Sequence, residues 1–243
     1  MSIVGRIGRS LVRLDAGKLP DTAELDENIR RRIRRTQNEE LATLVRDAWT
    51  VGQSIDVSKS VYGPSHFADP NEFVAVAFPY YSFLAGLVRN EKCSSIFEIG
   101  SHYGGSTFAM LAGVLNPNGA HLMTVDVTDL NDTLHKTTGI RKLTGDANSS
   151  AILKEVVVAF DARPIDLLYV DAAHNFLPTI INVGLYSTLL KPRFIVIDDI
   201  CLNNGMRQLW DVLSLTFGDQ AINCVDIVPT IRDAVVGFGL IRT

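Results

Sequence analysis

Acidic residues stand at the ends of five strand-like stretches, and this pattern predicts a single shared site. The stretches are residues 95–98, 121–126, 140–146, 165–171 and 194–199, and the acids that end them are Glu98, Asp126, Asp146, Asp171 and the pair Asp198 and Asp199. Each stretch is followed by a helix-like segment, and this alternation is typical of a parallel sheet with helices on both faces. In such a sheet, ligands bind beyond the carboxyl ends of the strands. We therefore expect the carboxylates to border one crevice.

The segment between the first stretch and its helix is rich in glycine and predicts a ligand-binding turn. Gly100 and Gly104 allow a tight turn and a close approach of the backbone to a ligand. The helix that follows begins with free N–H groups and a positive dipole end, which favour an anionic group such as a carboxylate. Ser106 adds a hydroxyl at this place. The spacing is not the G-x-G-x-x-G of dinucleotide sites, which argues against a nicotinamide cofactor.

Length and periodicity predict one main domain with an N-terminal appendage. The chain has 243 residues, enough for one substantial core. We predict an N-terminal helical region over residues 1–77 and a sheet domain over residues 78–243. An aromatic-rich loop near residues 60–80 would either form a lid over the crevice or pack on the sheet. The basic cluster at residues 30–35 would either solvate one helix face or contact phosphate, but the net charge of −4 gives no general attraction to nucleic acid.

The rest of the chain predicts how the sheet ends. Helices are expected over residues 79–90 and 205–217, and two final strands around residues 221–228 and 234–241. The connection between these strands is too short for a parallel crossover, so they should be antiparallel. No run approaches the roughly 20 apolar residues of a membrane helix, so no membrane partner is expected. Three widely spaced cysteines fit a reducing cytoplasm better than a disulfide framework.

The motif Glu98-x-Gly100-x-x-x-Gly104-x-Ser106 resembles the first motif of class I S-adenosylmethionine-dependent methyltransferases. The similarity continues in order and spacing over residues 78–243, and it is greatest to metal-dependent small-molecule O-methyltransferases of the catechol and caffeoyl-CoA types. It implies a Rossmann-like α/β fold with a seven-stranded, mostly parallel sheet. The implied strand order is 3-2-1-4-5-7-6 with strand 7 antiparallel, which agrees with the antiparallel pair predicted above.

The resemblance also implies that the chain binds S-adenosylmethionine (SAM). Its methionine part would be held by the first turn and the start of the helix: Gly100, Ser101, His102, Tyr103, Gly104 and Ser106. Glu98 would fix that turn or bind the methionyl amino group. Asp126 would accept hydrogen bonds from the ribose hydroxyls, Asp146 would lie at the adenine end, and Asp171 would border the cofactor. For Asp126 and Asp146, capping of the helix that follows is the alternative.

Asp171, Asp198 and Asp199 end strands four and five, which the implied strand order makes neighbours. Three carboxylates brought together repel one another unless they share a cation or a proton. The resemblance implies Mg²⁺, which such oxygen ligands suit and which would lower the pKa of an acceptor hydroxyl. The alternatives are that Asp198 and Asp199 cap the next turn, or that one of the three acids faces the cofactor without a metal ion.

His174 lies three residues after Asp171, where the catechol and caffeoyl-CoA types have a lysine. An unperturbed pKa of ~6.5 would leave its imidazole largely neutral at pH 7, so we predict His174 as the general base, with a structural role as the alternative. The Asp-x-x-His pattern resembles that of a bacterial group that includes antibiotic-sugar O-methyltransferases. The departure from lysine argues against catechol-like phenols and leaves sugar or alcohol hydroxyls open.

These observations predict a Mg²⁺-assisted, SAM-dependent O-methyltransferase that acts on a small hydroxylated molecule. Two alternatives are a metal-free methyltransferase for nitrogen or macromolecules and a non-catalytic cofactor-binding protein. The first lacks support because Asp171-Ala-Ala-His174 stands where many amino-methylating enzymes have an Asn/Asp-Pro-Pro-Tyr motif. The apolar stripe over residues 25–49 would allow two copies of the chain to form a homo-oligomer through their N-terminal helices.

Overall fold

The computed structural model describes residues 38–60, 79–225, 227–228 and 237–243. Within them the α-helices are α1 (Glu39–Gly52), α2 (Pro79–Asn90), α3 (Gly105–Gly113), α4 (Thr133–Lys136), α5 (Ser150–Ala159), α6 (Phe176–Leu190) and α7 (Asn204–Phe217). The strands are β1 (Ser95–Ile99), β2 (His121–Asp126), β3 (Ile140–Thr144), β4 (Leu167–Val170), β5 (Phe194–Ile197), β6 (Ala221–Asn223) and β7 (Gly239–Arg242). The basic cluster and most of the aromatic-rich loop lie outside the described residues.

The described strands form one sheet in the order β3-β2-β1-β4-β5-β7-β6. The first five strands pair in parallel, whereas β7 is antiparallel to both β5 and β6. The predicted Rossmann-like α/β fold is therefore confirmed, including its strand order and its antiparallel last pair. The strand order reverses between β1 and β4, and in such sheets the crevice at the carboxyl ends of these strands is where ligands bind.

Several strands are shorter than the sequence predicts. β3 ends at Thr144 because Gly145 has a φ of 150°, which lies outside the range of a strand. β4 and β5 end at Val170 and Ile197, the last residues that pair across the two strands. The acids predicted to end these three strands therefore lie in the loops just beyond them, where their side chains are free of the strand alternation.

Polar side chains set the starts of three helices. Asn38, Ser149 and Asn203 cap α1, α5 and α7, because each side-chain oxygen accepts a backbone N–H from the first turn. The helix predicted over residues 79–90 is observed with those bounds. The helix predicted over residues 205–217 begins one residue earlier, directly after its cap.

Helices cover both faces of the sheet, and neighbouring strand residues point into different layers. Ile96 belongs to a core layer that includes side chains of α1, α2 and α3, namely Leu41, Phe83 and Met110. Phe97 belongs to the opposite layer with side chains of α5, α6 and α7, namely Ile152, Val183 and Leu213. In the described part of the chain, no helix has both the length and the apolar character needed to cross a membrane.

α1 lies in the described part of the predicted N-terminal region, residues 38–60, and it packs directly on the sheet domain. Its Leu41 and Ala48, two members of the apolar stripe, are buried in the chain's own core. A Cβ at Gly86 of α2 would lie 1.8 Å from the carbonyl oxygen of Ala48, so the two helices cross in backbone contact. Arg242 of β7 also donates to Glu40 of α1 at 2.8 Å. The described members of the apolar stripe, Leu41 and Ala48, therefore pack within their own chain.

Candidate active site

The glycine-rich turn, residues 100–104, connects β1 to α3 at the carboxyl edge of the sheet. Gly100 has a φ of 94°, and a Cβ there would lie 1.8 Å from the carbonyl oxygen of Asp171, so no side chain fits between the ends of β1 and β4. Gly104, with a φ of 91°, precedes the first residue of α3. His102 also has a positive φ, 45°, although it is not a glycine. Such a backbone persists only where surrounding contacts hold it.

Glu98 holds the start of α3 from beneath this turn. Its fully buried carboxyl group accepts hydrogen bonds from the hydroxyls of Ser106, at 2.5 Å, and Thr107. Burial raises the pKa of Glu98 to about 7, although the two hydroxyls act in the opposite direction. Of the two roles predicted for Glu98, these contacts are of the kind expected if it fixes the turn.

Asp126 and Lys142 hold the middle of the turn. Asp126 Oδ2 accepts the backbone N–H of His102 at 2.8 Å, and Oδ1 accepts that of Thr128 at 3.1 Å. The Lys142 ammonium donates to the buried Ser101 hydroxyl at 2.5 Å. A carboxylate oxygen has more than one acceptor position, so Asp126 keeps lone pairs for ligand hydroxyls while it organises the turn.

Two predicted cofactor residues make other contacts. Asp146 is exposed, and its Oδ1 accepts the backbone N–H of Asn148 at 2.8 Å. It therefore caps the turn before α5, whereas Ser149 caps the helix itself. The backbone carbonyl of Tyr103 accepts from the side chain of Asn131 at 2.8 Å, which ties the turn to the segment before α4.

A closed ring of contacts joins the ends of β4 and β5. His174 Nε2 lies 3.0 Å from Asp171 Oδ1 and 3.3 Å from Asp199 Oδ2. The Tyr169 hydroxyl donates to Asp198 Oδ2 at 2.9 Å and lies 3.4 Å from Asp171 Oδ2. The backbone N–H of Asp199 closes the ring by donating to Asp198 Oδ1 at 2.9 Å. The acid ring, as we call these five residues, unites the predicted histidine and three aspartates with one unpredicted tyrosine.

The members of the acid ring differ in exposure. Asp198 is 4% exposed, whereas the side chains of Asp171 and His174 are 24% and 38% exposed. Burial, and then the charges of Asp171 and Asp199, raise the pKa of Asp198 well above its ordinary value. Burial first, and the charge of Asp171 second, raise the pKa of Asp199 to about 6. Asp198 is therefore the buried member of the acid ring, whereas Asp171, Asp199 and His174 are partly exposed to solvent.

The hydrogen bond to Asp171 is the main cause that raises the pKa of His174 to about 9, and the charges of the carboxylates add to it. The predicted neutral imidazole at pH 7 is therefore wrong for the free protein, because the sequence does not show how close the acids lie. At neutral pH the ring instead holds an imidazolium between Asp171 and Asp199.

The loops that carry the acid ring are strained. Ala173, His174 and Asp199 have φ values of 64°, 36° and 54°, in a region that favours glycine. The Asn203 side chain donates to the backbone carbonyl of His174 at 2.8 Å and also caps α7, so it ties this loop to a helix. Strained residues of this kind cluster at functional sites, where other contacts hold them.

Three residues of this region were not predicted from the sequence. Tyr169 lies in the otherwise apolar strand β4, Lys142 is a buried residue of the edge strand β3, and Asn203 lies in the loop after the acid pair. A phenol and an ammonium group inside a buried strand are signals that such an analysis can use, because each requires a partner. The partner of each group depends on which residues lie side by side on neighbouring strands, and the sequence alone does not show this register.

The donors of the predicted Mg²⁺ site have the right chemistry but not the right arrangement. Asp171, Asp198 and Asp199 supply the hard oxygens that Mg²⁺ prefers. As placed, however, two of them turn to His174 and the third to Tyr169. Among the residues that the structure describes, no group of three or more His, Cys, Asp or Glu side chains is placed so that it could hold a metal ion.

Comparison with protein families gives this site its context. Residues 97–200, which run from β1 to the loop after β5, match the family model of a methyltransferase domain. The match confirms the predicted resemblance to class I methyltransferases and the predicted enzyme class, and the matched segment includes both the glycine-rich turn and the acid ring. Among curated proteins, none matches the chain.

One of the solved structures found to be similar shares the fold of this chain, with a TM-score above 0.5. The O-methyltransferase TomG from Streptomyces achromogenes, involved in tomaymycin synthesis and solved with SAM, is 19% identical, with 81% of this chain and 95% of TomG covered and a TM-score of 0.53. An O-methyltransferase from Bacillus cereus, solved with S-adenosylhomocysteine (SAH), is 16% identical, with 83% and 91% covered and a TM-score of 0.48.

Proposed function

We propose that this chain is a SAM-dependent O-methyltransferase that methylates a hydroxyl group of a small molecule. The observation that carries the proposal is the acid ring, which holds an imidazole between two carboxylates next to the glycine-rich turn of a methyltransferase domain. Asp171 belongs to both features, because its backbone contacts Gly100 and its side chain contacts His174. These contacts support a proposal in which the proton acceptor and the cofactor turn would lie side by side.

The contacts of the turn support the assignment of cofactor groups. The backbone of residues 100–104 and the N-terminus of α3 would bind the methionine part, because the positive end of the helix dipole favours a carboxylate. Asp126 would accept hydrogen bonds from the ribose hydroxyls through its free lone pairs. Asp146, exposed at the end of β3, would lie at the adenine end. When bound, SAM supplies an electrophilic methyl group on a sulfonium ion.

The acid ring would orient the acceptor and take its proton. Methyl transfer is a direct displacement, so the protein contributes positioning and deprotonation. His174 Nε2 is the atom that would receive the hydroxyl proton. Because Asp171 and Asp199 hold this nitrogen protonated at neutral pH, His174 acts as a base only in the fraction of molecules that has lost the proton. A cationic ligand in the crevice lowers the pKa of His174 and increases that fraction.

Mg²⁺ assistance belongs to this proposal, although we derive no step through a metal ion because the acids do not converge as placed. Titrating Mn²⁺ into the SAH-saturated protein, followed by electron paramagnetic resonance, tests it. Binding in the wild type that is lost in Asp198→Asn supports a site formed by rearrangement of the acids. An absence of binding in both proteins removes the metal ion from the proposal.

The division into residues 1–77 and 78–243, a lid near residues 60–80 and a cytoplasmic location also remain proposals. The packing of α1 in the core supports an N-terminal region that is attached to the sheet domain rather than linked loosely to it. Sugar and alcohol hydroxyls are the acceptors that we propose, because His174 replaces the lysine of the phenol-specific types.

The experiment that tests the function measures transfer of a tritium-labelled methyl group from SAM to a panel of probes. The panel contains a vicinal-diol sugar, an aliphatic alcohol, 3,4-dihydroxybenzoate and the amine 4-aminobenzoate. We expect a labelled ether with at least one hydroxylated probe, and a loss of labelling in His174→Ala. Labelling of the amine alone, or equal rates in the wild type and the variant, would contradict the proposal.

A further inference from the structure

We propose that Lys142 is a positioning residue for cofactor binding, which acts by holding Ser101 in the conformation that the glycine-rich turn requires. This inference rests on the proposed function, because it assumes that the turn binds SAM and its product SAH. The predicted site does not include Lys142, which lies in the middle of the edge strand β3.

The position of Lys142 beneath the turn follows from the strand register. Glu98 of β1 lies beside Thr124 of β2, which lies beside Lys142 of β3. Side chains in such a row point to one face of the sheet. The row therefore places a carboxyl group and an ammonium group, about 10 Å apart at two strand spacings, under the same turn.

Each of these buried groups holds a different part of the turn. Glu98 accepts from the hydroxyls at the start of α3. Lys142, only 7% exposed, donates to Ser101, which is 2% exposed. Burial of an ammonium group costs free energy, and here that burial lowers the pKa of Lys142. The charges of Asp126 and Glu98 act in the opposite direction and help to keep Lys142 protonated.

The turn needs this support because its backbone is strained. Ser101 lies between Gly100, with a φ of 94°, and His102, with a φ of 45°. Asp126 accepts the backbone N–H of His102, and the carbonyl of Ser101 accepts that of Gly104. Lys142 adds a restraint on the side chain of Ser101. Without the bond to Ser101, the dipeptide can relax toward ordinary φ values, and the N–H groups that would bind the methionine part change direction.

The test measures binding of two ligands by isothermal titration calorimetry, and needs no knowledge of the methyl acceptor. SAH carries the amino-acid end, and 5′-methylthioadenosine lacks it. The variants are Lys142→Met, Ser101→Ala and the double variant, with Lys154→Met, an exposed lysine of α5, as the control. Thermal unfolding of each variant shows whether it is folded at the temperature of the titration.

We expect Lys142→Met to bind SAH roughly 10-fold or more weakly, the size expected for losing a hydrogen bond to a charged group. Binding of 5′-methylthioadenosine should change less than about 3-fold, because the turn does not hold its remaining groups. The double variant should bind SAH about as weakly as Lys142→Met, since both changes remove one bond. Lys154→Met should bind like the wild type.

Three results would overturn the inference. They are SAH binding by Lys142→Met within about 2-fold of the wild type, equal losses for both ligands, and losses that multiply fully in the double variant. If Lys142→Met does not fold, Ser101→Ala removes the same bond and decides by the same comparison. A wild type that does not bind SAH overturns the proposed function and this inference together. In that case the Lys154→Met control does not bind SAH either, whereas both proteins bind it when only the inference fails.

Discussion

Replacing Glu98 by glutamine should make the stability of this protein less sensitive to pH. Glu98 is fully buried, and its pKa rises from an ordinary value of 4.5 to about 7 on folding, mainly because burial disfavours the carboxylate. The folded state therefore binds this proton more tightly than the unfolded state. The stabilisation is fully present below pH 4.5 and is lost as the pH rises through about 7.

The size of the effect follows from the two pKa values. A difference of about 2.5, at ~1.36 kcal/mol for each pKa unit, corresponds to about 3 kcal/mol. Glutamine carries no titrating proton but keeps a carbonyl acceptor for Ser106 or Thr107. The free energy of unfolding of Glu98→Gln, relative to the wild type, should therefore increase by about 3 kcal/mol between pH 4.5 and pH 8.

Urea unfolding at five pH values between 4.5 and 8.5 measures this difference. Glu155→Gln is the matched control, because Glu155 forms an exposed ion pair with Arg141 and its loss should give a nearly constant difference. A Glu98→Gln difference that stays constant within about 0.5 kcal/mol would refute the reasoning, since it would mean that Glu98 has the same pKa in both states.

Three further predictions concern the acid ring and the helix packing. If His174 is the base, kcat/KM should rise with pH until it levels near pH 9. Asp199→Asn should move this rise to lower pH, because it removes a negative charge beside His174. A flat profile from pH 6 to 9 would count against His174 as the base. Tyr169→Phe removes the hydroxyl that donates to buried Asp198, so the free energy of unfolding in urea should fall by about 1–3 kcal/mol. An unchanged unfolding midpoint would exclude that hydrogen bond as a stabilising contact. Gly86→Ala should destabilise the protein by about 1–3 kcal/mol, because its Cβ meets backbone of α1; thermal unfolding equal to the wild type would show that the helices do not cross so closely.

The fold was predictable from sequence because its signals are local and repeated. Alternating apolar strands and amphipathic helices predict a parallel sheet. The antiparallel last pair was also predicted correctly, but its stated reason was not, because residues 224–238 between β6 and β7 form a longer connection than the sequence suggested. Strand ends were less predictable. The sequence predicted that the fourth strand runs to Asp171, because this residue directly follows an apolar run. In the structure, β4 and β5 end together at the pair Val170 and Ile197.

Four of the five members of the acid ring were predictable from the sequence, but their contacts were not. Topology alone brings Asp171, Asp198 and Asp199 to one edge of the sheet, so their proximity follows from the strand pattern. The protonation of His174 does not, because it depends on carboxylate oxygens within 3.3 Å that the sequence cannot place. Lys142 shows the same limit, since its partner is set by strand register.

A crystal structure of the SAH complex tests the central claim, that cofactor and proton acceptor face each other across one crevice. We predict the homocysteine part on residues 100–104, the ribose hydroxyls on Asp126, and the sulfur facing His174 Nε2 with room for an acceptor oxygen between them. A sulfur that points away from the acid ring, or SAH bound outside the glycine-rich turn, would contradict the account.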